Sequence, residues 1–232
     1  MLDIFYPHRC PICDDVLPVG IDCTACVKCE RIVQKAVRPY CMKCGKPIGD
    51  ERKEFCTDCE KREHFYLQGK AAFVYDKYMQ KSIAAFKYRG RREYGNYYAE
   101  QIVKKHKKWI ETIGAQCLIP VPIHRERYRK RGYNQAEIIA KCLSEKTGVS
   151  LVSDALFRVK KTTAQKKLDR QERMGNLRDA FALSERWKPV ANVLLIDDIY
   201  TTGATVEQAA KILKKAGAQN VYFLTISIGQ GI

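Results

Sequence analysis

Val193-Leu-Leu-Ile-Asp-Asp-Ile-Tyr-Thr-Thr-Gly-Ala-Thr205 sets four apolar residues ahead of two adjacent acids, and then places hydroxyl side chains around a glycine. A short, unbroken apolar run such as Val193 to Ile196 predicts a strand buried on both faces of a parallel sheet. Asp197 and Asp198 then emerge at its carboxyl end, where open α/β sheets bind ligands. Thr201 to Thr205 lead into a helix with Val206, Ala209, Ala210 and Leu213 at helical spacing and Gly217 as its C-terminal cap. Amides exposed at that helix start, a glycine free to take positive φ and three threonine hydroxyls form a cradle for a phosphate. The acids beside it cannot hold the phosphate, but they can bind ribose hydroxyls or organise Mg²⁺ on a diphosphate.

Neither G-x-x-x-x-G-K-[ST] nor G-x-G-x-x-G occurs, so the stretch is not a Walker loop or a dinucleotide fingerprint. It resembles the phosphoribosyl-diphosphate (PRPP) signature of type I phosphoribosyltransferases, in which an apolar strand, paired acids and T-T-G-x-T follow one another.

Outward from this stretch, strand and helix patterns alternate. Ala71 to Tyr75, Leu118 to Pro122, Leu151 to Leu156 and Val221 to Ile228 are expected as strands, the run at 151 to 156 among the central ones. Helices are expected over Met79 to Phe86, Tyr97 to Ile110 and Asn134 to Lys146, with turns at Gly90 and Gly148. The alternation predicts an α/β fold, a mainly parallel sheet with helices on both faces.

The 232 residues allow one main domain and a smaller one, here 1–65 and 66–232. Of 11 cysteines, most lie before residue 60 as C-x-x-C units: Cys10/Cys13, Cys26/Cys29, Cys41/Cys44 and Cys56/Cys59, with Cys23 left over. Two-residue spacers let both sulfurs of a pair reach one ion, and four thiolates suit tetrahedral zinc. Taken in order, the pairs give two structural Cys₄ sites; a crossed arrangement stays open on spacing alone. A redox role is disfavoured, since such a site uses a single pair beside a βαβ unit. Cys117 and Cys142 are expected as packed thiols. No apolar run reaches the roughly 18 residues of a membrane span, and no signal peptide is evident, so the expectation is a cytoplasmic protein without membrane insertion.

The formal charge is +16. Such a surface attracts polyanions. Between Lys81 and Arg131 fourteen Lys or Arg face four acids, Arg158 to Arg173 adds seven against two, and Tyr88, Tyr94, Tyr97, Tyr98, Tyr128 and Tyr133 are interleaved with these stretches. Cations on phosphates and tyrosine faces on unpaired bases would suit single-stranded DNA. Arg125, Arg129, Arg131 and Lys166 could equally clamp a diphosphate, with 163 to 176 closing as a basic lid.

Taken in order, the cysteine pairs, Phe86-Lys-Tyr-Arg-Gly90, Pro120-Val-Pro followed by Arg131-Gly-Tyr-Asn-Gln135, the 163–176 segment and Asp197-Asp-Ile-Tyr-Thr-Thr-Gly-Ala-Thr205 resemble the ComF family over essentially the whole chain. That resemblance implies a double zinc ribbon on a phosphoribosyltransferase-like domain, and a role in uptake of transforming single-stranded DNA beside the proteins of the uptake machinery. Residue by residue, it implies that Thr201, Thr202, Gly203, Ala204 and Thr205 hold the 5′-phosphate of PRPP. Asp197 and Asp198 would then stand on the ribose and Mg²⁺ side, as catalytic residues if the protein is a transferase. Lys87 and Arg89 join the arginines above as candidate diphosphate or DNA contacts. An acceptor-specific pattern is not legible, which favours binding over a named salvage reaction.

Overall fold

The computed structural model describes residues 7–18, 24–159 and 180–230. In chain order its elements are α1 (Val27–Ile32), α2 (Thr57–Glu60), β1 (Gln68–Val74), α3 (Lys77–Tyr88), α4 (Tyr94–Thr112), β2 (Cys117–Pro120) and α5 (Arg125–Arg131). They continue with α6 (Gln135–Thr147), β3 (Ser150–Leu151), β4 (Leu156–Arg158), β5 (Phe181–Leu183), β6 (Asn192–Tyr200), α7 (Ala204–Lys215) and β7 (Asn220–Ile228).

Five strands form one parallel sheet in the order β1-β7-β6-β2-β3, and β4 pairs with β5 in a separate antiparallel ribbon. Alternate residues of the central strand serve different layers, as a pleat with period two requires. Leu194 and Ile196 pack with α3, α4 and α6 through Phe86, Tyr98, Ile102 and Ile139. Val193 and Leu195 pack with Val206, Ala209, Ala210 and Leu213 of α7, on the side that also takes Leu156 and Phe181. The expected α/β class, a mainly parallel sheet covered on both faces and preceded by a small Cys₄ segment, is borne out.

Three details differ from the sequence reading. The run expected as a central strand at 151–156 is interrupted by a turn at Ser153 and Asp154; its first residue ends the short edge strand β3 and its last begins β4. Strand β6 does not end at Ile196. It continues through the acids to Tyr200, because β7 keeps pairing with it after β2 has stopped at Pro120. The basic segment after Pro122 is partly helical: His124 Nδ1 accepts from the Glu126 amide, Arg129, Lys130 and Arg131 sit where the helix dipole favours cations, and Gly132 at φ 77° stops the turn.

Edge strand β1 is not left open. The segment Gln34 to Ala36 lies along it, with Ala36 N donating to Ala72 O (3.0 Å) and Val74 N to Gln34 O (2.8 Å). Lys105 Nζ ties the two together by donating to Ala36 O, Ala71 O and Ala72 O. Covering an edge in this way removes a template for intermolecular pairing.

Beside that lysine, buried His106 donates from Nε2 to Ala71 O (2.9 Å), and burial lowers its pKa to about 4. The folded state therefore binds fewer protons than the unfolded state between about pH 4 and 6.5, and stability falls as pH drops through that window. The loss attributable to this group is on the order of 3 kcal/mol. Urea unfolding at pH 6.5 and pH 4.5 should show a smaller loss in His106→Gln, which keeps a donor but cannot titrate. Equal losses in the two proteins would remove His106 from the account.

Candidate functional site: two metal centres and an acid-paired anion loop

The first cysteine quartet, Cys10, Cys13, Cys26 and Cys29, and the second, Cys41, Cys44, Cys56 and Cys59, each place their sulfurs within 4.8 Å of one another. Cys13 and Cys26 sulfurs lie 4.0 Å apart, and those of Cys44 and Cys56 lie 3.7 Å apart. Tetrahedral zinc with Zn–S bonds of about 2.3 Å needs sulfur separations of about 3.8 Å. Both quartets therefore fit zinc, and the pairs combine in sequence order rather than crossed. Cys23 lies outside the described residues.

The two centres are built alike. A C-x-x-C knuckle is closed by an antiparallel bridge, Arg9 with Val16 or Tyr40 with Pro47, and the second pair begins a short helix, α1 or α2, capped by its own cysteine. After each knuckle the backbone turns into the left-handed region, at Gly45 (φ 80°) and at Asp14 (φ 70°). The glycine is needed at 45, where a Cβ would stand 2.8 Å from Gly69 O. A non-glycine residue in this conformation costs roughly 1–2 kcal/mol. Asp14 offsets that cost with its carboxylate, which accepts from Arg89 (2.9 Å), Arg91 (3.0 Å) and Tyr94. Burial alone would raise the pKa of Asp14, yet these donors hold it below the ordinary value.

The first centre shares a core with the helical layer holding α3 and α4, and the second with the α7 layer, so the ribbons grip the sheet from both faces.

Asp197 and Asp198 lie on the part of β6 that extends past β2. Lys87, the penultimate residue of α3, places Nζ 2.7 Å from Asp198 Oδ2. Asp197 feels the charge of Lys87 as well, and more weakly that of Arg158 on β4. Burial first, and then the charge of Asp198, push Asp197 up to about 7.

Beyond Tyr200 the chain turns at Thr201 and Thr202, and Gly203 at φ 77° caps α7 without any side-chain cap. A Cβ at Gly203 would meet Tyr200 Oη at 2.4 Å, so only glycine fits between the ring and the helix start. Thr201 is exposed and Thr202 and Thr205 are half-buried. The first amides of α7 lack intrahelical acceptors, as at any helix start. The helix start and the threonine hydroxyls thus stand directly after the acids, at the carboxyl end of the same strand.

Of the candidate anion contacts, Lys87 is on Asp198, and Arg89 is committed to the first ribbon through Asp14. Arg131 donates to Gln135 Oε1 (2.8 Å) and Tyr88 Oη (3.0 Å) and stacks over the Tyr88 ring. Arg125 and Arg129 are exposed on α5, and Lys166 lies, like the whole 163–176 segment, outside the described residues. Among the interleaved tyrosines, Tyr94, Tyr97, Tyr98 and Tyr133 belong to the core, whereas Tyr88 (63% exposed) and Tyr128 (50%) do not. Sequence reasoning missed Asp14 and gave Arg158 no role beside the acids. A C-x-x-C-D knuckle set against C-x-x-C-G was the available signal for Asp14.

The fold and these centres define a zinc-ribbon protein carried on a parallel α/β sheet. Residues 1–60 match the family described as Double zinc ribbon domain. Competence protein F of Haemophilus influenzae is 28% identical to the chain over 222 residues, covering 94% of this chain and 95% of that protein. Competence protein ComFC of Bacillus subtilis is 28% identical over 208 residues, covering 87% and 82%. Among solved structures, a purine phosphoribosyltransferase from Pyrococcus horikoshii is similar with a TM-score of 0.35 and 15% identity, over 57% of this chain and 86% of that one. The resemblance to the ComF family seen in the motif order is thus borne out: the chain is similar to these competence proteins along nearly its whole length.

Metal analysis should return two zinc ions per chain, and chelator should unfold residues 7–65 before the sheet; one ion per chain would contradict the paired quartets. Separately, a carboxyl whose folded pKa is raised contributes stability that is lost as pH rises through that value. Asp197→Asn should therefore stabilise the ligand-free protein by roughly 1–3 kcal/mol at pH 8 and much less at pH 5. Denaturant midpoints at the two pH values measure this, and a pH-independent effect would refute it.

Proposed function

We propose that the chain is a competence factor acting on incoming single-stranded DNA, and that its sheet edge carries a site for PRPP with Mg²⁺. One observation carries this reading: the paired acids, the left-handed Gly203 and the open start of α7 follow one another on one edge of the sheet. Anionic oxygens suit Mg²⁺ as hard ligands, and a 5′-phosphate suits exposed amides at a helix start. The names of the relatives supply the biological setting.

For the DNA, exposed Tyr88 and Tyr128 give flat faces on which bases stack, and Arg125, Arg129 and Arg131 stand beside them. Aromatic faces among cations favour unpaired strands over duplexes. No helix among the described residues is long and apolar enough to cross a membrane, so the DNA surface belongs to a protein without a helical span of its own in those residues.

A second reading, transfer of phosphoribose from PRPP to an acceptor, draws on the two cations Lys87 and Arg158 flanking the acids. Such cations would neutralise a departing diphosphate.

Calorimetric titration with PRPP and Mg²⁺ should give one site per chain, abolished in Asp197→Asn/Asp198→Asn. Because the Asp197 proton must leave for a metal to bind, affinity should rise between pH 6 and pH 8. The double variant should keep its affinity for a short oligonucleotide, while Tyr88→Ala/Tyr128→Ala should lose roughly 1–3 kcal/mol per stacked base. Absence of any PRPP heat would sink the sugar site, and diphosphate release with any base tested would favour the transferase.

A further inference from the structure

The anion loop and the second cysteine centre touch through side chains that the site description leaves without a purpose. Glu207 stands in the first turn of α7, where an acid ordinarily faces the helix's own amides. Its oxygens turn elsewhere: Oε2 accepts from His64 Nδ1 at 2.9 Å, and Oε1 accepts from Phe65 N at 3.0 Å. The other nitrogen of that imidazole, Nε2, lies 3.6 Å from Cys59 Sγ, a member of the second quartet. His64 also stacks on Tyr66 at 4.6 Å, and Tyr66 Oη meets Tyr200 Oη at 2.7 Å. Tyr200 is the residue whose ring forbids a side chain at Gly203. Buried Lys46, from the second knuckle, lies over the same ring.

Two threads, joined where His64 stacks on Tyr66, thus run from the second centre to the loop, one through His64 and Glu207 to the helix start and one through Tyr66 and Tyr200 to Gly203. Among the described residues nothing comparable joins the first centre to it; that centre reaches the 89–94 turn through Asp14. Turning Glu207 away from the helix start also removes a carboxylate that would repel an incoming phosphate.

We propose that the second Cys₄ centre is the base on which the anion loop is set, and that His64 is the positioning residue between them. Metal in the second centre, rather than in the first, then determines how firmly residues 201–207 are held and how tightly they take a phosphate. The last clause rests on the reading of 201–205 as a phosphate site; the structural coupling does not.

The test compares wild type with His64→Phe, which keeps a ring on Tyr66 but removes both polar contacts, with Glu207→Gln, and with Asp14→Asn as a control on the first centre. Zinc release to a chromogenic chelator is followed, and the cysteines freed are identified by alkylation and mass spectrometry. Hydrogen exchange at 201–207 is measured without ligand, and affinity for PRPP with Mg²⁺ is measured by calorimetry. Outer partners of a metal ligand typically change metal affinity by about 10- to 100-fold. His64→Phe should accordingly free Cys41, Cys44, Cys56 and Cys59 about tenfold faster, speed exchange at 203–207 and weaken PRPP by about tenfold. Asp14→Asn should free the other quartet and leave 203–207 unchanged. If His64→Phe does not fold, Glu207→Gln carries the test with changes in the same direction. Faster zinc loss without faster exchange at 203–207, or no change in either, overturns the coupling. If zinc loss and exchange respond while wild type binds no PRPP, the coupling stands and the phosphate reading is what fails.

Discussion

Two adjacent carboxylates on a partly covered sheet edge repel one another, and the rest of the structure is arranged around offsetting that. Lys87 meets Asp198 at 2.7 Å, and its charge and that of Arg158 both act on Asp197. These cations come from α3 and β4, elements on opposite layers of the sheet, so the acids are balanced only in the folded chain. Even so, burial and then the neighbouring charge of Asp198 raise the pKa of Asp197 well above the ordinary carboxylate range.

Keeping Lys87 in place involves the first ribbon. The turn after α3 carries Arg89 and Arg91, and both close on Asp14 behind the first knuckle. The segment is thereby held at one end by an acid of the site and at the other by an acid of the metal centre. On the opposite layer the second ribbon supports the loop after β6 through Tyr66, Tyr200 and His64. The ribbons add little apolar area of their own. Their cysteines and few large side chains are counted into the sheet's two cores instead, and ligation supplies what so small a segment cannot gain by burial.

The basic surface divides along similar lines. Arginines that looked interchangeable in the sequence serve the ribbon contact (Arg89, Arg91), a stacked pair with an exposed tyrosine (Arg131) or solvent (Arg125, Arg129). Among the described residues, Lys87 is paired with an acid of the sheet edge, whereas Arg125 and Arg129 lie exposed on α5 beside Tyr128.

What the sequence determined by itself were features written in consecutive residues. An apolar run before paired acids, a glycine free to turn left and cysteines two apart impose their geometry locally, and so the central strand, the start of α7 and the four cysteine pairs were legible, while their combination into quartets in sequence order was not. Tertiary structure alone decided the rest. Lys87 finds Asp198, and Asp14 finds Arg89, Arg91 and Tyr94, across long stretches of chain that no local pattern spans. The turn at 153–154 breaks a run whose composition suits a strand, just after the last bond to β2, from Val152 N to Leu118 O. Four of the six tyrosines among the lysines and arginines turn inward to fill the layer under α3 and α4, a choice set by packing that charge and spacing do not encode.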